Sequence, residues 1–255
     1  MNLSVIIPAY NERDTIAACL VKVVAAIPHV EKEIIVVDDG SRDGTREWLG
    51  QQIENLAGSD SALEVDENGD LRQIAGNACY RFRVLYHDTN KGKGGALQTG
   101  LAAASGDIVV IQDADLEYDP MDWEVMYELI ASRGVADVVY GSRFYGRPHR
   151  ALYFHHYMAN RLISFIFNAL YNQTLTDIEV CYKMFTREVL QSLRITANDF
   201  GFEVQFSAQV ALARKWRIYE VGIAYYGRTY DEGKKINWKD GVKALGYLFR
   251  FRFSG

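Results

Sequence analysis

The chain alternates short apolar segments with longer helical ones, and this alternation constrains its fold more than any other feature. Five segments rich in β-branched residues are each followed by a stretch of helical character; they are LSVIIP, EIIVVDD, FRVLYHD, DIVVIQD and ADVVYGS. Short continuous apolar runs are typical of strands that are buried on both faces of a parallel sheet. The alternation therefore predicts an α/β fold with a mainly parallel sheet and helices on both of its faces.

One region interrupts this pattern. Between about residues 58 and 80, two alternating runs flank Asn68-Gly69, which predicts an inserted β-hairpin with a type I′ turn. A length of 255 residues, with 49% apolar and 24% charged residues, suits one large domain. We assign residues 1–227 to this domain, and residues 228–255 to a basic loop followed by an amphipathic helix.

Charge and cysteine content limit the compartment and the partners. The net charge of -5 gives no reason to expect nucleic-acid binding. Cys19, Cys79 and Cys181 form no CxxC pair, so the sequence favours neither a disulfide framework nor a zinc site, and a reducing compartment fits. The opening MNLSVIIPAY lacks the pattern of a secretory signal. We therefore expect a cytoplasmic protein.

Three acidic residues follow the fourth predicted strand at every second position. They are Asp113, Asp115 and Glu117, in IQDADLEYD. In an extended segment alternate side chains point the same way, so the three carboxylates could face one side. Oxygen ligands suit Mg2+, Mn2+ or Ca2+. A solvated acidic turn is the alternative, and this pattern alone does not separate the two.

Polar loops follow other predicted strands, and in open α/β sheets ligands bind at such strand ends. In DDGSRDGT, Asp39 could accept hydrogen bonds from a nucleobase or ribose, or could stabilise the turn. In PAYNE, Asn11 and Glu12 could cap a helix or lie at the edge of a ligand. In NKGKGGALQTG, Lys93 is a candidate contact for a phosphate or base, although the glycines could serve helix packing alone.

Taken in order, these segments resemble glycosyltransferase family 2 of the GT-A fold, especially its branch similar to dolichyl-phosphate mannose synthases. Five motifs carry the resemblance: VIIPAYNE, IIVVDDGSRDGT, NKGKGGALQTGLAAASGDIVVIQDADLEYDP, DVVYGSRF and YGRTYDEGKKINWKDG. The resemblance implies a GT-A sheet and a nucleotide-sugar donor. It also implies a base pocket formed by five residues, namely Pro8, Ala9, Tyr10, Glu12 and Asp39.

The same resemblance implies a hexosyltransferase that uses a GDP- or UDP-linked sugar together with Mg2+ or Mn2+. Asp113 and Asp115 would form the DxD pair at the metal and the diphosphate, with Glu117 as a third ligand. A bound cation would offset the charge that develops on the leaving diphosphate, so Asp115 is counted as catalytic. Arg228 and Lys234 could close over the same diphosphate, or could belong to a solvated basic loop.

The acceptor is predicted from the second half of the chain. Residues 152–171 are apolar around most of a helical circumference, so they should be buried or lie against lipid, but polar residues interrupt them too often for a membrane span. Arg161, with Arg143, could hold a lipid-linked phosphate or form a structural ion pair. In the resembling synthases, arginines at these places meet the acceptor phosphate, which implies a polyprenyl (dolichyl-type) phosphate.

The segment TDIEVCYKMF contains Asp177 and Glu179, followed by Lys183. An acid here could act as a base or orient the acceptor; we count Asp177 as catalytic and Lys183 as a contact of the acceptor phosphate. An ionised phosphate needs little help from a base, whereas a hydroxyl needs one. Because EVCYK departs from the resembling enzymes, a glycan or other hydroxyl acceptor is an alternative. A non-catalytic nucleotide-sugar-binding protein is a weaker third interpretation.

The C-terminal segment is basic. Residues 228–255 contain seven Lys or Arg residues against three acidic ones. A helical spacing connects four apolar residues, namely Trp238, Val242, Leu245 and Phe249. This pattern predicts an amphipathic helix that packs on the domain or lies on an anionic membrane surface. With no spanning segment predicted, we expect at most a peripheral association with the cytoplasmic face of a membrane.

Overall fold

The structure is a computed structural model that describes residues 1–53, 56–146, 148–151, 153–199, 201–229 and 238–253. The described residues form one nine-stranded sheet. Its strands are β1 (Leu3–Ala9), β2 (Lys32–Asp38), β3 (Ala57–Val65), β4 (Leu71–Ala75), β5 (Ala78–Tyr86), β6 (Ile108–Ile111), β7 (Val138–Ser142), β8 (Lys183–Thr186) and β9 (Ile218–Gly222).

Helices connect most of these strands. The α-helices are α1 (Ile16–Ala25), α2 (Thr45–Ile53), α3 (Lys93–Ala103), α4 (Trp123–Tyr127), α5 (Phe154–Tyr171), α6 (Arg187–Ser192), α7 (Gly201–Ala213) and α8 (Trp238–Phe253). A 3₁₀ turn, Pro120–Asp122, precedes α4, and a π-helical turn, Glu128–Ser132, continues it. Among the described helices, none is both long enough and apolar enough to cross a bilayer.

The sheet has the order β4-β3-β5-β2-β1-β6-β8-β7-β9. Its centre is parallel, because β1 pairs with both β2 and β6, and β2 pairs with β5, all in the same direction. Strand β8 is antiparallel between β6 and β7, and β9 pairs in parallel with β7. The five predicted strands are β1, β2, β5, β6 and β7, so the predicted α/β fold with a parallel centre is confirmed. The whole sheet is mixed, because four of its eight strand pairings are antiparallel.

The inserted hairpin consists of β3 and β4 and extends the sheet beyond β5. The predicted type I′ turn is wrong, because that turn requires positive φ at both central residues. Only Gly69 of the Asn68-Gly69 pair has it, with φ of 79°. The carbonyl of Asp66 accepts a hydrogen bond from the Gly69 amide, and its carboxylate accepts from the amides of Asn68 and Asp70. The Asp66 side chain therefore fixes the five-residue loop between β3 and β4.

The parallel strands form the buried centre of the molecule and set the position of their loops. Ile6, Val36 and Val110 are fully buried in one continuous apolar core. Ala9, the last residue of β1, pairs with Asp38, the last residue of β2. Because neighbouring parallel strands end at the same edge, the polar loops that follow β1, β2, β6 and β7 lie side by side.

The predicted C-terminal helix is present, but a different side of it packs on the domain. Ala244 and Leu248 of α8 are buried, and the Tyr171 hydroxyl at the end of α5 donates a hydrogen bond to the Leu248 carbonyl at 2.8 Å. Val242 and Phe249 of the predicted apolar stripe are instead 58% and 49% exposed. Leu245 of the stripe packs partly against the core, and the side chain of Trp238 lies outside the described residues. The side of the helix that packs on the domain is therefore shifted from the predicted stripe toward Ala244 and Leu248.

Candidate active site

The acidic segment after β6 is a turn rather than a continuation of the strand. Leu116 has φ of 64°, in the left-handed region, and Asp115 Oδ1 accepts a hydrogen bond from the Glu117 amide at 3.1 Å. The assumption that Asp113, Asp115 and Glu117 lie on one side of an extended chain is therefore wrong. Their carboxylates lie in two ion-paired groups: Lys93 joins Asp113, and Arg228 joins Asp115 and Glu117.

Asp113 is paired with Lys93, the first residue of α3. The Lys93 ammonium lies 2.9 Å from Asp113 Oδ1 and 3.1 Å from Oδ2, and it also lies 3.1 Å from Glu203 Oε1 on α7. Burial alone would lower the pKa of Lys93, but Asp113 and Glu203 are among the groups that raise it well above its usual value. Lys93 is therefore held as a cation between two carboxylates.

Glu203 was not singled out in the sequence. Its side chain is buried, and no donor among the described residues lies within hydrogen-bonding distance of Oε2. A buried carboxylate oxygen without a partner is costly, so such an atom calls for an explanation. The segment GFEVQF offered no spacing that could have revealed it, since its partner Lys93 is 110 residues earlier in the chain.

Asp115 is paired with Arg228, whose Nη2 lies 2.9 Å from Asp115 Oδ2. The same guanidinium lies 3.4 Å from Glu117 Oε1 and 3.8 Å from Glu12 Oε2. Burial raises the pKa of Asp115 to about 7, and repulsion from Asp113 and Glu117 adds to this effect while Arg228 opposes it. Three crowded carboxylates thus leave a local excess of negative charge that a bound cation would relieve.

Glu117 holds the segment that carries Arg228. Its Oε1 accepts a hydrogen bond from the Arg228 amide at 2.8 Å, and its Oε2 accepts one from the Tyr225 hydroxyl at 2.8 Å. The described residues contain no preformed cluster of three or more metal-binding side chains. The predicted three-carboxylate set is therefore not assembled, but Asp113 and Asp115 fit a Mg2+ or Mn2+ site that substrate phosphates complete.

Tyr225, which sequence reasoning missed, connects this acidic network to Arg143. The Arg143 guanidinium carbon lies 5.3 Å from the centre of the Tyr225 ring, a cation–π distance. The ring is partly buried, and its hydroxyl is the one bound to Glu117. Tyr225 thus joins Glu117, on the predicted sugar-donor side of the site, to Arg143, on the predicted acceptor side.

Asp39 organises the loop that precedes α3. It is 2% exposed, and its carboxylate accepts hydrogen bonds from the amides of Lys91 and Gly92, both at 2.8 Å. His87 Nδ1 also lies 2.6 Å from Asp39 Oδ1. Of the two roles that the sequence left open, these contacts support stabilisation of the turn; a contact with a nucleobase would have to share the same oxygen atoms.

The other predicted base-pocket residues follow β1. Pro8 and Ala9 end the strand, and Tyr10, directly after it, is 38% exposed. Glu12 is buried beside α1, where its carboxylate accepts a hydrogen bond from the Thr15 hydroxyl at 2.9 Å and faces Arg228. The structure thus brings these residues to the edge of the sheet that carries the acidic network.

Arg143 and Asp177 form a buried, bidentate ion pair. Arg143 Nε and Nη2 lie 2.7 Å from Asp177 Oδ2 and Oδ1, and Asp177 has no exposed surface. This geometry does not support the predicted role of Asp177 as a base, because the carboxylate is enclosed and both oxygens bind the guanidinium. It supports the structural ion pair that the sequence left open for the arginines.

Glu179 and Lys183 lie near this pair in different environments. Burial raises the pKa of Glu179 to about 7, while the nearby Arg143 opposes the shift. Lys183 is fully buried; its ammonium donates to the Val180 carbonyl and lies 5.5 Å from the ring centre of Tyr140. Burial lowers the pKa of Lys183 to about 8. The predicted contact of Lys183 with an acceptor phosphate is therefore not supported.

Arg161 is placed differently from Arg143. It lies on the exposed side of α5, and its Nη1 donates a hydrogen bond to the Thr176 carbonyl at 3.4 Å. Thr176 directly precedes Asp177, so the Arg161 guanidinium lies beside the Arg143–Asp177 pair while remaining accessible to a ligand. Lys234, predicted to contact the diphosphate, and Lys235 lie outside the described residues.

The sheet has a parallel centre, and at its strand ends two aspartates pair with Lys93 and Arg228. This arrangement agrees with the class of protein that the fold indicates, a glycosyltransferase of the GT-A fold. The chain belongs to glycosyl transferase family 2, whose model matches residues 4–194.

Curated relatives agree with the branch indicated by the sequence motifs. The chain is 28% identical to the undecaprenyl-phosphate mannosyltransferase of Micrococcus luteus, over 92% of this chain and 87% of that protein. It is 24% identical to the dolichyl-phosphate beta-glucosyltransferase of Dictyostelium discoideum, over 98% of this chain and 74% of that protein. The dolichol-phosphate mannosyltransferase of Pyrococcus furiosus is 33% identical over 56% of this chain, but the match spans only 34% of that longer protein.

Solved structures show the same fold. Glucosyl-3-phosphoglycerate synthase from Mycobacterium tuberculosis, in complex with Mn2+, uridine diphosphate and phosphoglyceric acid, matches with a TM-score of 0.69 and 21% identity, over 99% of this chain and 78% of that chain. The same synthase in complex with Mg2+ and uridine diphosphate matches with a TM-score of 0.65 and 21% identity, over 98% and 79%. The predicted GT-A fold is thus confirmed.

Proposed function

We propose that this glycosyltransferase moves a hexose from a GDP- or UDP-linked donor to a polyprenyl phosphate, with Mg2+ or Mn2+ bound, and inverts the anomeric carbon. The observation that carries this proposal is the network in which Asp113 and Asp115 are paired with Lys93 and Arg228 at the strand ends. Two carboxylates and two cations provide ligands for a metal and contacts for a diphosphate within one site.

Asp113 and Asp115 would hold the cation, with phosphate oxygens of the donor completing its shell. Once bound there, the cation supplies positive charge against which the diphosphate can leave. The two aspartates offer only oxygen atoms as ligands, and oxygen ligands suit Mg2+ and Mn2+. The Mycobacterium tuberculosis structures, which contain Mn2+ or Mg2+ with uridine diphosphate, support this assignment by likeness of fold.

The basic residues keep partners when the aspartates bind a cation. Lys93 is also paired with Glu203, and Arg228 is also close to Glu12 and Glu117. The Lys93 ammonium and the Arg228 guanidinium can therefore each move from its aspartate toward the diphosphate without losing every carboxylate contact. The base would lie against the residues after β1 and β2, namely Pro8, Ala9, Tyr10, Glu12 and Asp39.

The acceptor phosphate would bind at Arg161, with Arg143 beside it. A phosphate monoester is largely ionised at neutral pH, because its second pKa is about 6, so its oxygen can attack the sugar without a strong base. The enclosure of Asp177 agrees with a reaction that needs none. A single attack opposite the leaving diphosphate gives inversion at the anomeric carbon. The names of the Micrococcus luteus and Dictyostelium discoideum relatives support this class of acceptor.

One observation favours a second candidate, transfer to a glycan or other hydroxyl. Glu179 lies near Arg143 and has a pKa raised by burial to about 7, as expected of a general base that works near neutral pH. A hydroxyl acceptor would require such a base. The variant Glu179→Gln should then abolish transfer, whereas transfer to a polyprenyl phosphate should survive this change and be weakened in Arg161→Ala through a higher KM for the acceptor.

We place the enzyme at the cytoplasmic face of a membrane, in peripheral association. A polyprenyl phosphate is held in the bilayer by its chain, so an enzyme that uses it as acceptor must approach the membrane surface. The outer side of α8 supports this, because it combines the exposed apolar residues Val242 and Phe249 with the exposed basic residues Lys243 and Arg250.

A thermal-shift screen of UDP- and GDP-linked hexoses, with Mn2+ and with a chelator, tests the donor site first. We expect one nucleotide class to raise the unfolding temperature only when Mn2+ is present, because a ligand selective for the native state stabilises it by mass action. Transfer to a short-chain, water-soluble polyprenyl phosphate and NMR of the product's anomeric centre follow. Equal binding and transfer in chelator would refute the metal site, and retained configuration would refute the single displacement.

A further inference from the structure

Helix α5 has a wholly apolar stripe on its outer side. Phe154, Met158, Leu162 and Phe165 are 67%, 48%, 52% and 69% exposed. Their spacing of four, four and three residues places them along one side of the helix. The opposite side contains Ile163, Phe167 and Tyr171, all buried in the core. The stripe is therefore not needed to fix α5 on the domain.

An exposed stripe of large apolar side chains usually marks a contact with a protein or a membrane. The charge around this one favours an anionic membrane. Residues 138–176 contain no Asp or Glu, but include Arg143, Arg147, Arg150 and Arg161. Arg150 and Arg161 are exposed, as are His149 and His155. Basic side chains next to an apolar stripe match the headgroups and the acyl boundary of an anionic bilayer.

Helix α8 also has exposed apolar residues next to basic ones. It is attached to the end of α5 by hydrogen bonds from the Tyr171 hydroxyl to the Leu248 carbonyl at 2.8 Å, and from Arg252 Nε to the Leu170 carbonyl at 3.0 Å. Its last residue, Phe253, is 73% exposed. Two helices that are packed together thus both expose aromatic or aliphatic residues next to basic ones.

The apolar stripe lies on the same helix as the proposed acceptor contact. Arg161 directly precedes Leu162 in the chain and reaches the Thr176 carbonyl next to Asp177. Near the start of α5, the Tyr157 ring lies 5.2 Å from that of Phe144, which directly follows Arg143. A bilayer against the stripe would therefore bring lipid phosphates to the level of Arg161.

We propose that α5 lies in the interface of an anionic bilayer, with Phe154, Met158, Leu162 and Phe165 inserted at the acyl boundary. This orientation presents the acceptor side of the site to the membrane surface. The link to acceptor delivery rests on the proposed function, whereas membrane binding itself does not.

Flotation with phosphatidylcholine vesicles, with and without phosphatidylglycerol, tests the proposal. We expect the protein to float with the anionic vesicles, and the double variant Leu162→Glu/Phe165→Glu to lose at least about tenfold in binding, since it replaces two apolar side chains that the bilayer would bury with two charged ones. The matched control, Met121→Glu/Val125→Glu, changes two exposed apolar residues at and next to α4 and should float like the unmodified protein. Unchanged unfolding temperatures would show that both variants fold.

Two results would overturn the proposal: an unmodified protein that stays unbound with anionic vesicles, or a double variant that floats equally well. A second copy of the chain is the competing occupant of the stripe. Analytical ultracentrifugation would reveal it as a dimer that the double variant converts to a monomer, with vesicle binding unchanged, and this too would overturn the proposal.

A transfer assay separates this inference from the proposed function. With a short-chain, water-soluble polyprenyl phosphate, the double variant should match the unmodified protein, because the site is intact. With a long-chain acceptor in anionic vesicles, its rate should fall in parallel with its vesicle binding. A loss with the soluble acceptor as well would contradict the membrane role, whereas failure of the unmodified protein with both acceptors would refute the proposed function instead.

Discussion

Arg228 and Asp115 form an ion pair, with 2.9 Å between Nη2 and Oδ2, at the place where the proposed divalent cation would bind. The guanidinium and the cation require the same carboxylate, so they compete for it. Arg228 is also held by its amide on Glu117, and this contact does not involve Asp115. We infer that the guanidinium occupies the carboxylate until a metal-bound diphosphate replaces it as the counter-ion.

The variant Arg228→Gln tests this competition. A hydrogen bond to a charged group contributes about 1.5–3 kcal/mol. In the absence of nucleotide sugar, we therefore expect the variant to bind Mn2+ about tenfold more tightly than the unmodified protein at pH 8. Sugar transfer should be slower, because the leaving diphosphate loses its contact with the Arg228 guanidinium. Electron paramagnetic resonance of free Mn2+ measures the first effect and steady-state kinetics the second. Arg217→Gln, at the surface pair with Asp137, is the matched control, and equal Mn2+ affinity in both variants would contradict the competition.

The variant Glu203→Gln tests the role of Lys93, the second basic residue of the site. Without the Glu203 charge, Lys93 should remain on Asp113, so Mn2+ binding with a nucleoside diphosphate should weaken about tenfold. The free energy of unfolding should not fall, because the variant removes the charge from a buried carboxylate that has one unpaired oxygen. Calorimetry and chemical denaturation give the two quantities. Unchanged Mn2+ affinity together with lower stability would assign Glu203 a purely structural role.

The sequence predicts the centre of the fold better than its edge. Strands β1, β2 and β6 are continuous β-branched runs that are buried on both faces, and burial is what such composition reports. Strand β8 has only four residues and begins with Lys183, and β9 includes Glu220, so neither has a local pattern of its own. These strands form because β7 and its neighbours offer backbone partners, which no short sequence window contains.

The acidic residues of the site were predictable, and so were Lys93 and Arg228, but the pairing between them was not. Asp113 and Asp115 stand out through spacing, whereas the hydrogen bond between Glu117 and Tyr225 joins residues 108 positions apart. The turn at Leu116 was hidden for a local reason, since leucine rarely adopts positive φ. Sequence spacing therefore identified single residues of the site, and the sheet topology determined which of them come into contact.

The variant Asp177→Asn tests whether the buried ion pair is structural. Removing one partner leaves the Arg143 charge buried and uncompensated, so the free energy of unfolding should fall by about 3–5 kcal/mol. Asp137→Asn at the more exposed Arg217 pair is the control and should leave the free energy of unfolding nearly unchanged, because solvent screens this pair. Chemical denaturation measures both variants. A stable Asp177→Asn protein that has lost transfer would restore a catalytic role for this carboxylate.

The variant Lys183→Met tests the acceptor contact that the sequence predicted for Lys183. Since the ammonium is fully buried and bound to the Val180 carbonyl, we expect the KM for the acceptor to remain unchanged. Arg161→Ala, which removes an accessible guanidinium, should raise this KM by about tenfold or more. Initial rates at varied acceptor concentration provide the comparison. A raised acceptor KM in a folded Lys183→Met protein would show that the lysine becomes accessible during the reaction.

The pH dependence of stability tests the environment of Glu179. Burial raises the pKa of this carboxyl from 4.5 to about 7, so the folded state binds its proton more tightly than the unfolded state. The stability that this group contributes is full below pH 4.5 and is lost as the pH rises toward 7. Glu179→Gln removes this dependence. Its unfolding temperature should therefore match that of the unmodified protein at pH 4.5 and exceed it at pH 8, by an amount corresponding to about 3 kcal/mol.

The exposed Glu188 provides the control for this measurement, because Glu188→Gln changes the same side chain in a solvated position. A difference that does not grow with pH would show that the Glu179 carboxyl is not held in a desolvated environment. The same variant also bears on the chemistry. If transfer to a polyprenyl phosphate keeps its rate in Glu179→Gln while its stability loses the pH dependence that Glu179 causes, the raised pKa is a consequence of burial and not a sign of general-base catalysis.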